Sequence, residues 1–255
     1  MNWNRPLLIC SLILCLAWGS SVSQAADSWS YPTSKPSNPF GGGDGSSYDH
    51  YRIETAQHLA NLAYMVTDDN TEYKGKYFVL ANDITLNDDV INDAGTGLKY
   101  AESSYKLWTP IGEYGITYDD DFMGYFDGQG HTIRGMVCID NEGQRDYNGL
   151  FGSVDEATIK NLNLEDCYLF AKEVDSDSYR YGTLIGNSWN STFINCHVSK
   201  SVVDVTFIPY NRNDVFVGGM IGCCDFAQGR NKLMFTAKTH MANCSFKGNI
   251  LKFRK

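Results

Sequence analysis

Carboxylates are the first residues in this chain that could do chemistry. Asp88-Asp89, Asp119-Asp120-Asp121, Asp175 with Asp177, and Asp225 supply them within 255 residues. Two or three on one face could hydrolyse a glycosidic bond, or hold calcium beside a base. Such chemistry needs fixed separations, and these acids fall in turn-forming stretches that share no register. They read as solvated loop charges. The histidines (His50, His58, His131, His197 and His240) include no pair at metal-ligand spacing, and no Cys-Xaa-Xaa-Cys occurs. Asp127-Gly128-Gln129-Gly130-His131 joins an acid and a histidine around glycines. A phosphate cradle would want a lysine and a following helix, whereas a strand pattern follows here. There is no Gly-Xaa-Ser-Xaa-Gly elbow. Cys223-Cys224 reads as one residue in and one out on a strand, a vicinal disulfide being the alternative. No catalytic residue, metal site or cofactor is expected.

Aromatic residues give the positive hint. Tyr100, Tyr105, Tyr114, Tyr118, Tyr125, Tyr179 and Tyr181 sit in Gly- and Asp-rich stretches. A flat ring with a polar tip suits a carbohydrate or protein contact. Tyr114, Tyr118, Asp119, Asp121, Tyr179 and Tyr181 are assigned to such a face. Rings laddered between strands are the competing reading.

The elements that would carry these residues repeat. Gly149-Leu-Phe-Gly152, Gly182-Thr-Leu-Ile-Gly186 and Gly218-Gly-Met-Ile-Gly222 are each followed by an alternating apolar string centred on an asparagine: Asn161, Asn195 and Asn243. Gly152 leads Asn161 by the same interval as Gly186 leads Asn195, and the third interval is longer through an insertion within Cys223 to Thr239. Repeats that pair a Gly-flanked apolar block with a short strand predict a stacked solenoid. Asparagine tolerates left-handed backbone angles, so Asn161, Asn195 and Asn243 are expected at stacked corners. Gly135 is expected at the equivalent corner one unit earlier. That alignment places Ile133 with Ile159, Phe193 and Met241; Met136 with Leu162, Cys196 and Cys244; and Cys138 with Leu164, Val198 and Phe246. Cysteine then substitutes for inward apolar residues, which favours buried thiols over disulfides.

Residues 1–25 read as a secretory leader, with Arg5, an apolar run from Leu7 to Trp18, and small residues Ser23 and Ala25 before Ala26. Residues 26–47 read as a flexible linker rich in Pro, Gly and Ser. Thr55 is a plausible N-cap for a helix whose Leu59, Leu62, Ala63 and Val66 share a face, and 48–67 is expected to cap the solenoid. The stretch 87–107 reads as a side loop. A net charge of −9 without basic clusters argues against nucleic acid or an anionic membrane as partner. No segment after the leader is long and apolar enough for a membrane span.

Taken together, the three blocks and their Asn-centred strings resemble the GLUG-motif repeats of bacterial secreted and surface proteins. Ile53-Glu-Thr-Ala-Gln-His-Leu59, Gly75-Lys-Tyr-Phe-Val-Leu80, Asn82-Asp-Ile-Thr-Leu86, Trp108-Thr-Pro-Ile-Gly112 and Phe126-Asp-Gly-Gln-Gly-His-Thr-Ile133 look like the start of such proteins. Thr183 departs from the usual second glycine. The resemblance implies a right-handed parallel β-helix, often part of larger adhesin-like or peptidase-bearing proteins, in which the repeats are scaffold. The expected fold is thus all-β, a parallel β-helix over 48–255 with an N-terminal capping helix and repeats over about 122–250. The expected function is a non-catalytic surface or secreted module binding a glycan or host protein. A carbohydrate-active enzyme on the same scaffold and a spacer or truncated fragment are the alternatives. Because only Lys247 to Lys255 follow Phe246, self-association through that end is a further expectation.

Overall fold

The computed structural model describes residue 26 and residues 28–112, 120–140, 147–174, 179–207, 215–225 and 239–254. The proposed leader, 1–25, lies outside the described residues. The described chain is mostly β, with one α-helix, Ala56–Tyr73, and one 3-10 turn, Glu102–Ser104. Its strands make one eleven-stranded and two three-stranded sheets. The pairings between strands are parallel throughout.

Successive passes of the chain lie in register. Thr158–Glu165 and Tyr168–Val174 both pair with the long strand Thr192–Phe207. Phe151–Asp155 pairs with Ile185–Trp189, which pairs in turn with Ile221–Asp225. The interval is 34 residues in three separate hydrogen bonds: Ala157 N–H to Ser191 Oγ, Cys167 N–H to Ser201 Oγ, and Asn195 Nδ2 to Asn161 Oδ1. Each pass turns at left-handed residues that stack on one another. Glu156 and Asn190 have φ of 50° and 46°; Asn161, Asn195 and Asn243 have 53°, 52° and 51°; Gly135, Asp166 and Lys200 have 74°, 58° and 46°. That region is costly for most L-residues and least so for Gly, Asn and Asp, which explains most of these identities.

Between corners, alternate residues point inward and stack by type. Phe126, Ile159 and Phe193 form one buried column, and Ile133, Leu164 and Val198 another. This corrects the expected alignment of the first unit: Ile133 pairs with Leu164, not Ile159, and Cys138 with Leu169, not Leu164. The cause is the Gly-rich turn. Gly128, Gln129, Gly130 and His131 stand opposite Asn161 and Leu162 alone, so the earlier unit is out of step. Gly135 therefore belongs to the corner of Asp166 and Lys200, not to the asparagine corner, its N–H donating to Glu165 O.

The glycine blocks are where passes touch backbone to backbone. Leu150 and Phe151 N–H donate to Thr183 and Leu184 O, and Thr183 and Leu184 N–H donate to Gly219 and Met220 O. A Cβ on Gly186 would stand 2.6 Å from Gly152 O, and one on Gly222 2.6 Å from Gly186 O. Only glycine fits that approach. Gly152 meets Gly112 O in the same way, so Trp108-Thr-Pro-Ile-Gly112 is an earlier instance of the block. Leu150, Phe151, Leu184 and Ile185 fill the interior from these positions.

The helix starts as expected, His58 N–H donating to the Thr55 side chain at 3.2 Å. It differs from the expected 48–67 cap at both ends. Tyr51–Ile53 is a strand paired with Tyr77–Leu80, and the helix continues to Tyr73, whose ring is buried against Phe40 and Phe78. Ala56, Leu59, Ala60, Leu62, Ala63, Met65 and Val66 are buried on its inner face. The segment 26–47 is not a free linker. Its described residues form no helix or strand, yet Trp29 and Phe40 are only 5% and 8% exposed. Trp29 Nε1 donates to Leu86 O, and its ring meets Trp108 edge-on at 5.8 Å. Two large aromatics within a breaker-rich stretch outweigh its lack of periodicity, because each buries roughly 150–250 Å².

Candidate functional site

The side loop 87–107 builds one concave feature. A corner pins it: Asp166 Oδ2 accepts from Val90 N–H at 2.9 Å and Asp166 Oδ1 from Ile91 N–H at 3.0 Å. The loop then lays Val90, Ile91, Leu98 and Tyr105 over Val137, Ile139, Tyr168 and Val202, an apolar cluster separate from the main core. Tyr105 holds the loop's shape, its hydroxyl donating to Asp89 O and accepting from Tyr100 N–H.

Where this loop meets the sheet lies an open cavity of about 320 Å³. Its floor is Ile91 and Val202, and its rim carries Asn92, Asp93, Lys200 and Asn249. Lys200 Nζ is 3.1 Å from Asp166 Oδ1 and remains half exposed. Asn249 donates to Gly95 O across the mouth, joining loop to strand. The site thus offers an ammonium, a carboxylate and side-chain amides around a small apolar floor. That set can exchange hydrogen bonds with hydroxyls or a carboxylate of a ligand.

The residues assigned to a binding face do not come together. Tyr114, Tyr118 and Asp119 lie outside the described residues. Asp121 is buried at 3% exposure. Tyr179 and Tyr181 are fully buried, their rings 6.1 Å apart and nearly parallel, so they are core residues and not a contact face. They alternate inward on a strand whose outward residue is Arg180. Its guanidinium lies over Tyr147 at 4.9 Å and Phe216 at 5.5 Å, on the neighbouring passes. Tyr125 is a ladder ring, stacked on Tyr77 at 4.2 Å, with His50 beyond.

Asn161, Asn195 and Asn243 form an amide ladder. Asn243 Nδ2 donates to Asn195 Oδ1 at 2.7 Å, Asn195 to Asn161 at 3.0 Å, and Asn161 to Asp127 Oδ1 at 2.9 Å. Asp127 also takes Gln129 N–H and lies 3.1 Å from Lys160 Nζ, so the Gly-rich turn ends the ladder. Burial opposes ionisation of Asp127, but Asn161, Gln129 and Lys160 together hold its carboxyl below the usual range.

Other titratable groups are engaged structurally. Asp83 accepts from Thr132 N–H and His131 Nδ1, with Arg134 beside it and Glu165 beyond. Tyr168 hydroxyl donates to Asp204 Oδ2 at 3.2 Å. Burial raises both groups, which leaves that tyrosine protonated and unfit as a base at neutral pH. Among the described residues no cluster of three His, Cys, Asp or Glu side chains could hold a metal ion, and no disulfide joins the cysteines. Cys138, Cys167 and Cys196 are buried, as the inward columns require, while Cys244 is partly exposed. No helix among the described residues is long and apolar enough to cross a membrane.

No family model matches the chain. Over 182 residues, 71% of its length, it is 30% identical to a protein of Evansella cellulosilytica named "Putative Gly-rich membrane protein". The chain spans 17% of that relative. A solved Bacteroides ovatus structure described as a "putative immunoglobulin A1 protease" aligns over 85% of this chain and 78% of its own, at 15% identity and a TM-score of 0.41. That score is too low to carry fold or activity across.

Proposed function

We propose that the chain is a non-catalytic, adhesin-like module of the GLUG-motif type. In this reading a right-handed parallel β-helix with an N-terminal helical cap is exported, and it presents a glycan-binding groove at the secreted or cell-surface stage. The supporting observation for the function is the groove at the side loop. Hydrogen-bonding groups of both polarities surround an apolar floor there, and rigid corners hold them in place. The parallel pairing at a 34-residue interval, with corners in register, supports the solenoid reading.

Binding of the purified chain to a panel of acidic and neutral oligosaccharides tests the groove. Asn92→Ala and Lys200→Ala should each weaken binding about tenfold or more, because each removes a hydrogen-bonding group from the ligand. Binding that survives both substitutions would remove the groove from consideration. A host protein captured in place of any sugar would change the partner class.

A further inference from the structure

Cys196 and Cys244 stand one above the other on adjacent parallel strands. The register Ile194–Ala242 precedes them and His197–Ser245 follows, so the pair is bracketed on both sides. Their neighbours Asn195 and Asn243 are joined by an amide bond of 2.7 Å. Each thiol makes the same contacts one pass apart. Cys196 Sγ lies 3.5 Å from Ile194 O and 3.6 Å from Ile159 O; Cys244 Sγ lies 3.4 Å from Ala242 O and 3.7 Å from Phe193 O. Each sulfur therefore leans toward the preceding pass, and Cys244 leans toward the strand of Cys196.

Adjacent strands lie about 4.8 Å apart, inside the roughly 4.4–6.8 Å between Cα atoms that a disulfide spans. In-register Cβ atoms at that spacing need to approach by roughly 1 Å to reach the usual disulfide separation of about 3.8 Å. The side with room to move is known: Met241 is 49% exposed and Cys244 is partly exposed, whereas Cys196 is buried. The other strand registers place different residues opposite a cysteine. Cys138 pairs with Leu169, and Cys223 and Cys224 face Asn187 and Ser188 across their strand pairing.

We propose that Cys196 and Cys244 are a redox-closable pair that fastens the strand Ser245–Arg254 and its approach to Thr192–Phe207. A disulfide-bearing oxidant, small or protein-borne, accepts the electrons. The accessible Cys244 thiolate attacks one sulfur of the oxidant, forming a mixed disulfide and expelling one thiolate. Cys196, deprotonated, then attacks Cys244 Sγ and expels the second. Two thiols are oxidised to one disulfide, the oxidant is reduced to two thiols, and the two protons lost from the cysteines reside on these or in solvent. Burial, with Cys244 adjacent, pushes the Cys196 thiol up to about 12, so the second step is slow and quickens as pH rises. The bond would close a loop 48 residues long, the interval that already separates the paired asparagines.

The test incubates the full chain with oxidised glutathione in mildly alkaline buffer, followed by intact mass and non-reducing peptide mapping. The expected result is loss of two hydrogens and a linked peptide containing Cys196 and Cys244. Reduction should lower the melting temperature by on the order of 10 °C, from the loop-closure effect on the unfolded chain. Cys244→Ser should abolish that shift and Cys223→Ser should not. A stable glutathione adduct on Cys244, with Cys196 still alkylated after unfolding, would overturn the proposal. So would a cross-link built on Cys223 or Cys224. The wild-type map decides the matter even where a variant fails to fold, and it is independent of any glycan.

Discussion

Lys200 stands one pass beyond Asp166 at the same left-handed corner, its ammonium 3.1 Å from the Asp166 carboxylate. The same carboxylate takes two backbone N–H groups of the side loop. One buried acid thus ties the corner column, the loop and the rim of the groove together.

Replacing that acid should free the loop. Asp166→Ala leaves the Val90 and Ile91 N–H groups without an acceptor, at a cost of about 1–3 kcal/mol each where they stay buried. The expected outcome is new proteolytic cleavage within 87–107 with the rest of the chain still folded. A digestion pattern unchanged from wild type would contradict the pinning role.

The asparagine ladder makes a second prediction. Asn195→Val puts a β-branched residue at φ 52° and removes bonds to Asn161 and Asn243. Denaturant unfolding should show a loss of about 1–3 kcal/mol. Asn195→Gly, which keeps the backbone angle and loses only the ladder, should cost less. Equal losses would assign the whole effect to the amides.

Trp29→Ala should destabilise by about 3–5 kcal/mol, as for other buried large aromatics. A thermal melt compares it with a chain starting at Tyr48, which loses Phe40 as well and should be weaker still. Unchanged melting in both would restore the linker reading of 26–47.

Acid should destabilise the fold in two stages. Burial lowers the His58 pKa from 6.5, and its Nδ1 accepts Glu54 N–H, so the folded ring is held neutral. The unfolded chain then binds the proton more readily; stability is full above about 6.5 and falls as pH drops toward the folded value. Asp83 behaves likewise lower down. Burial opposes its ionisation, but Thr132 N–H, His131 and Arg134 prevail and hold its carboxyl below 3.8. Its contribution is present above that value and is lost as pH falls through the folded one. His58→Gln should remove the first stage of a melting-temperature profile against pH and leave the second.

The parallel strands and the asparagine corners were legible in the sequence because an asparagine recurs at the centre of each alternating apolar string. Two kinds of feature were not. The first unit slipped out of register because the Gly128–His131 turn hides extra residues behind a familiar glycine pattern. Tyr179 and Tyr181 looked exposed from their polar neighbours, yet strand alternation sends both inward, with Arg180 pointing the other way. The groove was illegible for a different reason: Ile91, Lys200 and Asn249 are far apart in the chain, and only pairing brings them to one place. The earlier glycine block at Trp108 could have been found, since Ile111-Gly112 repeats the ending of Ile185-Gly186 and Ile221-Gly222.

Corners that stand 34 residues apart on two successive passes also make the chain divisible. A segment such as 158–191 begins and ends at equivalent points of the path, and its two faces match each other as well as they match its present neighbours. Unequal recombination that duplicates or removes that length would join strands in register and leave every corner column intact. Length is then a property that inheritance can change in whole steps.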